Sequence, residues 1–285
     1  EITGGTYCIY NDGDINIASD VTIFPFEDRF SDGIIGDNIT IGEGVNLSLN
    51  VNGFGLFAQN SGELYISNGA NVVVNSIPCA QKNGITTQYL IRSIGNMTID
   101  SANISITGVA DPSRFDIPAK KILGEFDGIV VDSGTFNAKD STISIDLSSL
   151  GDAQFVANSN AICVRNATFE NCKTDVKVDG AGICVANALR SFGNVTFNSS
   201  AFYSQVSVFG PAAYGIAIDL TFISSDSDID SYASVIDGSF ALGVAYGEIK
   251  ISFDSPKKIH SVVNKGFSFA AGTGNGISPL EYDED

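Results

Sequence analysis

One pattern recurs along the chain and restricts its fold more than any other feature. It opens on a small residue, usually Gly, followed by Ile or another apolar residue. A turn leads to an apolar-x-apolar triplet, and a Ser/Asp/Asn/Gly turn often leads to another triplet. The openings fall at Tyr7-Cys8-Ile9-Tyr10, Gly33-Ile34-Ile35-Gly36, Gly55-Leu56-Phe57-Ala58 and Gly84-Ile85-Thr86-Thr87. They continue at Gly128-Ile129-Val130-Val131, Ala161-Ile162-Cys163-Val164, Gly182-Ile183-Cys184-Val185, Gly215-Ile216-Ala217-Ile218 and Gly243-Val244-Ala245-Tyr246. These make about nine copies, spaced about 21 to 44 residues apart, in the range of stacked arrays.

The triplets are equally regular. The first set includes Ile15-Asn16-Ile17, Ile39-Thr40-Ile41, Leu64-Tyr65-Ile66, Met97-Thr98-Ile99 and Val195-Thr196-Phe197. The second includes Val21-Thr22-Ile23, Leu47-Ser48-Leu49, Ile104-Ser105-Ile106, Ile143-Ser144-Ile145 and Val176-Lys177-Val178. Alternation with period two puts the outer members of each triplet on one face of a strand and the middle member on the other. Two stretches nearly coincide: Arg92-Ser93-Ile94-Gly95-Asn96-Met97-Thr98-Ile99 and Arg190-Ser191-Phe192-Gly193-Asn194-Val195-Thr196-Phe197. The Asn-x-Ser/Thr sites at Asn38, Asn46, Asn96, Asn103, Asn166, Asn194 and Asn198 mostly coincide with the same turn and strand units, so they read as structural.

Short strands joined by Gly/Asn/Asp/Ser turns at a drifting period predict an all-β, single-domain parallel β-helix of about nine rungs, each about 4.8 Å above the last. No single rung buries its apolar face; stacking does it. A propeller would need uniform blades with Trp-Asp signals, and the chain has no Trp. A sandwich would need more tight Asn-Gly or Asp-Gly hairpins between matched strands. Composition agrees: apolar residues make up 44%, and Ile and Val far outnumber Leu, which excludes a helical bundle and a disordered chain. The β-helix is expected over residues 1–265. A final strand, loop and acidic tail are expected over 266–285.

In this repeat, over nearly its whole length, the chain resembles the right-handed parallel β-helix superfamily of pectin-lyase-like proteins. The resemblance is one of architecture. It implies polysaccharide lyases, glycoside hydrolases, tailspikes and non-catalytic surface adhesins as classes of relative. The lyases use an Arg or Lys as base and acidic residues to hold Ca²⁺, but no Asp cluster beside an Arg and no paired-Asp motif stands out in this sequence. The expected function is that of a secreted or cell-surface module that binds glycans or acts as an adhesive. A polysaccharide lyase or hydrolase and a ligand-free stalk are the alternatives.

Charge narrows the partners. The net charge of −18 repels phosphate backbones and anionic lipid, so neither nucleic acid nor membrane insertion is expected. A glycan or surface polysaccharide is the expected partner, bound by a monomer. No signal segment is visible in the chain. Cys8, Cys79, Cys163, Cys172 and Cys184 form no disulfide framework, and a single His, His260, argues against zinc or haem.

Three groups of residues are candidates for a site. The longest rung carries an insertion in which Arg114, Phe115, Asp116, Lys120 and Lys121 lie together, a mixture that suits ring stacking and hydroxyl recognition. Arg92 and Arg190 occupy equivalent repeat positions. Asp226, Asp228, Asp230 and Asp237 resemble part of a calcium-loop spacing, though Ser231 stands where Gly is usual, so Ca²⁺ is the only cofactor considered. Cys163 and Cys184 share a repeat position in this alignment, stacked either as small buried residues or within disulfide reach.

Overall fold

The computed structural model describes residues 2–3, 7–24, 31–76, 87–111, 123–150, 156–180, 182–235, 240–252, 259–264 and 267–268. Their regular structure is all strand. Strands pair in parallel with the equivalent segment of the next rung rather than with their neighbours in sequence. The result is a parallel β-solenoid. One ten-stranded sheet is built from the closing triplets, among them Val21–Phe24, Asn46–Val51, Asn71–Ser76, Asn103–Ala110, Thr142–Ser149 and Lys173–Gly180. A 15-stranded sheet carries the openings and the middle triplets, from Tyr7–Tyr10 to Phe267–Ser268.

The core consists of ladders. Leu49, Val74, Ile106, Ile145 and Val176 pair one above another on five successive rungs, all of them buried. Stacking makes each aliphatic side chain the lid of the one below, which is how rungs that cannot bury a face alone remove their apolar surface from water. The later rungs use larger residues. Phe136, Phe169, Phe197 and Phe222 are fully buried, with successive ring centroids 5.4, 4.8 and 5.8 Å apart. Phe202, from the ten-stranded sheet, meets Phe169 and Phe197 edge-on.

The Gly of the opening has a steric cause. A Cβ on Gly33, Gly55, Gly128 or Gly215 would stand 2.4 to 2.5 Å from a carbonyl oxygen of the next rung, that of Gly55, Leu90, Ala161 or Gly243. These four rungs therefore keep Gly where the next rung approaches closely, while Leu90, Ala161 and Ala188 take the same column position on other rungs.

Two openings are displaced from the alignment drawn from sequence. Ile91 pairs with Leu56 and Ile129, and Leu189 pairs with Ile162 and Ile216. Leu90-Ile91 and Ala188-Leu189 therefore take the places assigned to Gly84-Ile85 and Gly182-Ile183. Residues 84 and 85 lie outside the described residues. The shift also separates the two cysteines. Cys163 pairs with Arg190, whereas Cys184 lies between Ile183 and Val185, which pair with Val156 and Asn158. Cys163 and Cys184 stand at different repeat positions, not in one stack, and no disulfide joins them.

Polar ladders hold the turns. Asn38, Asn96, Asn166 and Asn194 each accept, through Oδ1, a backbone N–H of the next rung, from Glu63, Thr135, Asn194 and Thr221 at 2.9 to 3.2 Å. At another corner, Ser101, Asp140, Asn171, Ser199 and Asp226 stack in the left-handed conformation, with φ between 47 and 52°. Short polar side chains tolerate that region best after Gly.

Candidate functional site

Three columns of the 15-stranded sheet converge on one cleft. The first runs Tyr89, Asp127, Asn160, Asn187, Tyr214. The second lies three residues further along the strand and runs Phe57, Arg92, Val130, Cys163, Arg190, Ala217, Ala245. The third runs Glu125, Asn158, Val185. The cleft has a volume of about 440 Å³. The amides of Asn158, Asn160 and Asn187 line it together with Glu125, Arg190 and Asp219, and Phe192 and Tyr214 supply aromatic rings.

Hydrogen bonds fix the Asn160 and Asn187 amides across rungs. Asn187 donates from Nδ2 to Asn160 Oδ1 at 2.8 Å, and Asn160 donates from Nδ2 to Asp127 Oδ1 at 2.9 Å. The Asn160 backbone N–H donates to the same Asp127 oxygen at 2.7 Å. This chain of amides gives the cleft a rigid polar wall.

The charged groups lining the cleft are paired within the chain. Arg190 and Asp219 form a bidentate ion pair, with bonds of 2.5 and 2.9 Å. The Arg190 guanidinium lies 4.6 Å from the ring centroid of Phe192, a residue that is 55% exposed. Glu125 accepts the hydroxyl hydrogen bond of Tyr89. Burial and that bond both raise the Tyr89 hydroxyl pKa.

Asp127 lies beneath this layer and is 2% exposed. Burial drives its carboxyl up to about 8, against the pull of the Asn160 amide, and the Glu125 charge adds to the rise. Burial also pushes the Cys163 thiol up to about 12, helped by the Asp127 and Glu125 charges, which opposes its use as a nucleophile near neutral pH.

Of the residues expected from sequence, Arg190 lies in the cleft and Arg92 stands on the same column three rungs away. Arg92 pairs with Asp132 at 2.8 and 2.9 Å and lies over the rings of Phe57 and Tyr89, at 5.0 and 4.6 Å. Arg114, Phe115, Asp116, Lys120 and Lys121 lie outside the described residues. Asp226 takes the left-handed corner position. Asp228 and Asp230 project from one face of the strand Asp228–Val235, alternating with buried Ile229 and Ser231. Asp237 lies outside the described residues. Among the described residues, no group of three or more His, Cys, Asp or Glu is placed to hold a metal ion.

Sequence reasoning missed Asn158, Asn160, Asn187, Phe192, Tyr214 and Asp219 as a group. The near-duplicate segments at Arg92 and Arg190 were the available signal, because Phe192 lies two residues after the second Arg. The amides become neighbours only through the rung register. No protein-family model matches the chain, and no curated protein or solved structure gives a significant match to it.

Proposed function

We propose that this chain is a glycan-binding module of a secreted or surface-displayed protein, and that the cleft beside Arg190 is its binding site. The supporting observation is the side-chain set of the cleft: an exposed aromatic ring at Phe192 next to a wall of fixed amides. A sugar presents an apolar ring face and a rim of hydroxyls. Phe192 suits the face, and the Asn158, Asn160 and Asn187 amides suit the hydroxyls. Binding fits better than catalysis because Glu125, Arg190 and Asp219 already have partners, while the neutral acid Asp127 is covered by Asn160. A general acid or base needs an open path to its substrate.

A glycan array with the wild type and with Phe192→Ala tests the reading. Binding by the wild type and its loss in the variant are expected. Equal binding by both would remove this cleft from the site, and no binding by either would favour a structural stalk. Release of reducing or unsaturated ends from a bound polysaccharide would convert the module into an enzyme.

A further inference from the structure

We infer that the ligand is an uncharged, extended glycan lying along the solenoid axis and bridging two equivalent stations, one at Arg190 and one at Arg92. The inference rests on the glycan-binding reading of the cleft and adds length, direction and charge to it.

The two stations share one construction. Arg92 and Arg190 belong to a single column, through Val130 and Cys163. Each guanidinium is ion-paired to an Asp of the following rung, Asp132 or Asp219. Each lies over aromatic carbon: Phe57 and Tyr89 in one case, Phe192 in the other. Phe54 widens the first platform, with its ring 5.2 Å from Phe57 and 6.1 Å from Tyr89.

The intervening surface links the stations. Glu125 lines the Arg190 cleft and also holds the hydroxyl of Tyr89, a member of the Arg92 platform. A ligand leaving the cleft past Glu125 therefore meets the second platform directly.

Spacing sets the length. Three rungs separate the stations, about 14 Å at about 4.8 Å per rung. The advance of one sugar unit in an extended chain is close to one rung, so a chain of about four units occupies both stations when it lies along the axis. Shorter oligomers fill one station. Joining two weak contacts in one ligand makes the second contact intramolecular, and affinity rises steeply once the ligand is long enough to reach.

Charge sets the class. Asp132 and Asp219 neutralise the guanidiniums at both stations, and Glu125 lies between them. The net charge of −18 adds a long-range field of the same sign as a polyuronate. A polyanion gains no unpaired guanidinium here and meets acidic groups. A neutral polymer loses nothing to that field.

Calorimetry with oligosaccharides of two to six units tests this, using gluco-, manno-, xylo- and galacturono- series on the wild-type chain. The expected result is binding of a neutral series, with affinity rising about a hundredfold between three and five units. Phe57→Ala should erase the length step. Asp132→Asn is an exposed change that retains the side-chain volume. It leaves the Arg92 charge without its partner and should shift preference toward the galacturonides. Equal affinity at all lengths would overturn the two-station inference while leaving glycan binding intact. A wild-type preference for galacturonides would overturn the charge assignment alone. Binding of no series would overturn both the inference and the reading on which it rests.

Discussion

Asp127 and Asn160 stand on adjacent rungs of one column, and a single oxygen of Asp127 accepts both the backbone and the side-chain N–H of Asn160. Asp32 plays a similar part at an earlier position, accepting the Phe54 N–H at 2.7 Å while 3% exposed. In each case the carboxyl replaces a backbone acceptor between rungs, in a place with little access to water. Burial raises Asp32 to about 7 and Asp127 to about 8, more than these hydrogen bonds lower them.

Stability should therefore fall as pH rises from about 4 to about 8. Across that window the folded chain holds protons on Asp32 and Asp127 that the unfolded chain has released, so deprotonation favours unfolding. Asp127→Asn keeps an acceptor for Asn160 and removes the titration. It should raise stability at pH 9 by about 2–4 kcal/mol and change it little at pH 4. Thermal midpoints of wild type and variant across pH 4–9 give the comparison. A difference that does not grow with pH would show that Asp127 does not titrate as described.

Most of the fold was legible because its constraints act on residue type. Gly33, Gly55, Gly128 and Gly215 recur where a Cβ meets the next rung, and the Ile/Val triplets recur because the core is a ladder. Register was less legible. Gly182-Ile183 matches the opening as well as Ala188-Leu189 does, and only pairing with Ile162 and Ile216 separates them. The cleft was least legible. Polar positions such as Asn160 and Asn187 carry no apolar period, and a separation of 27 positions in the sequence conceals their direct hydrogen bond.

Gly128→Ala tests the steric origin of the opening. Its Cβ would stand 2.5 Å from the Ala161 carbonyl oxygen and 3.0 Å from Cγ2 of buried Ile145. Neither neighbour is the end of a flexible side chain, so a rung must shift. A loss of about 1–3 kcal/mol is expected in denaturant unfolding. Gly44→Ala is the control for an open site: nothing lies within 4 Å of the added Cβ, but φ there is +68°, so only backbone strain remains. Equal loss from both would remove crowding as the cause at Gly128.

Phe197 sits between three rings, at 4.8 Å from Phe169, 5.4 Å from Phe202 and 5.8 Å from Phe222. Phe197→Ala should cost about 3–5 kcal/mol, the range for a large ring removed from a packed core. Phe197→Leu should cost clearly less, because it refills most of the cavity. Similar losses for the two variants would mean that the rungs collapse around the gap.

Cys172 occupies a corner column with Ser141 on the preceding rung and Ser200 and Ser227 on the two that follow. Ser200 Oγ accepts the Cys172 N–H at 3.0 Å and donates to the Asn198 carbonyl at 2.8 Å. Ser227 Oγ repeats this one rung later, accepting from the Ser200 N–H and donating to the Ser225 carbonyl. Ser141 does so on the preceding rung, toward Ala102 and Lys139. Cys172 follows the same plan with sulfur, donating to the Glu170 carbonyl at 3.3 Å. Burial raises the pKa of its thiol, which further limits its reactivity. Cys172→Ser therefore completes a hydroxyl ladder and should leave stability within about 1 kcal/mol of wild type or raise it. Cys172→Ala removes the donor and the acceptor together, takes the sulfur acceptor from the Ser141 N–H while the Glu170 carbonyl keeps the Asp140 N–H, and should cost about 1–3 kcal/mol. If Ser destabilises the chain as much as Ala does, then volume at this corner, rather than hydrogen bonding, is what the ladder supplies.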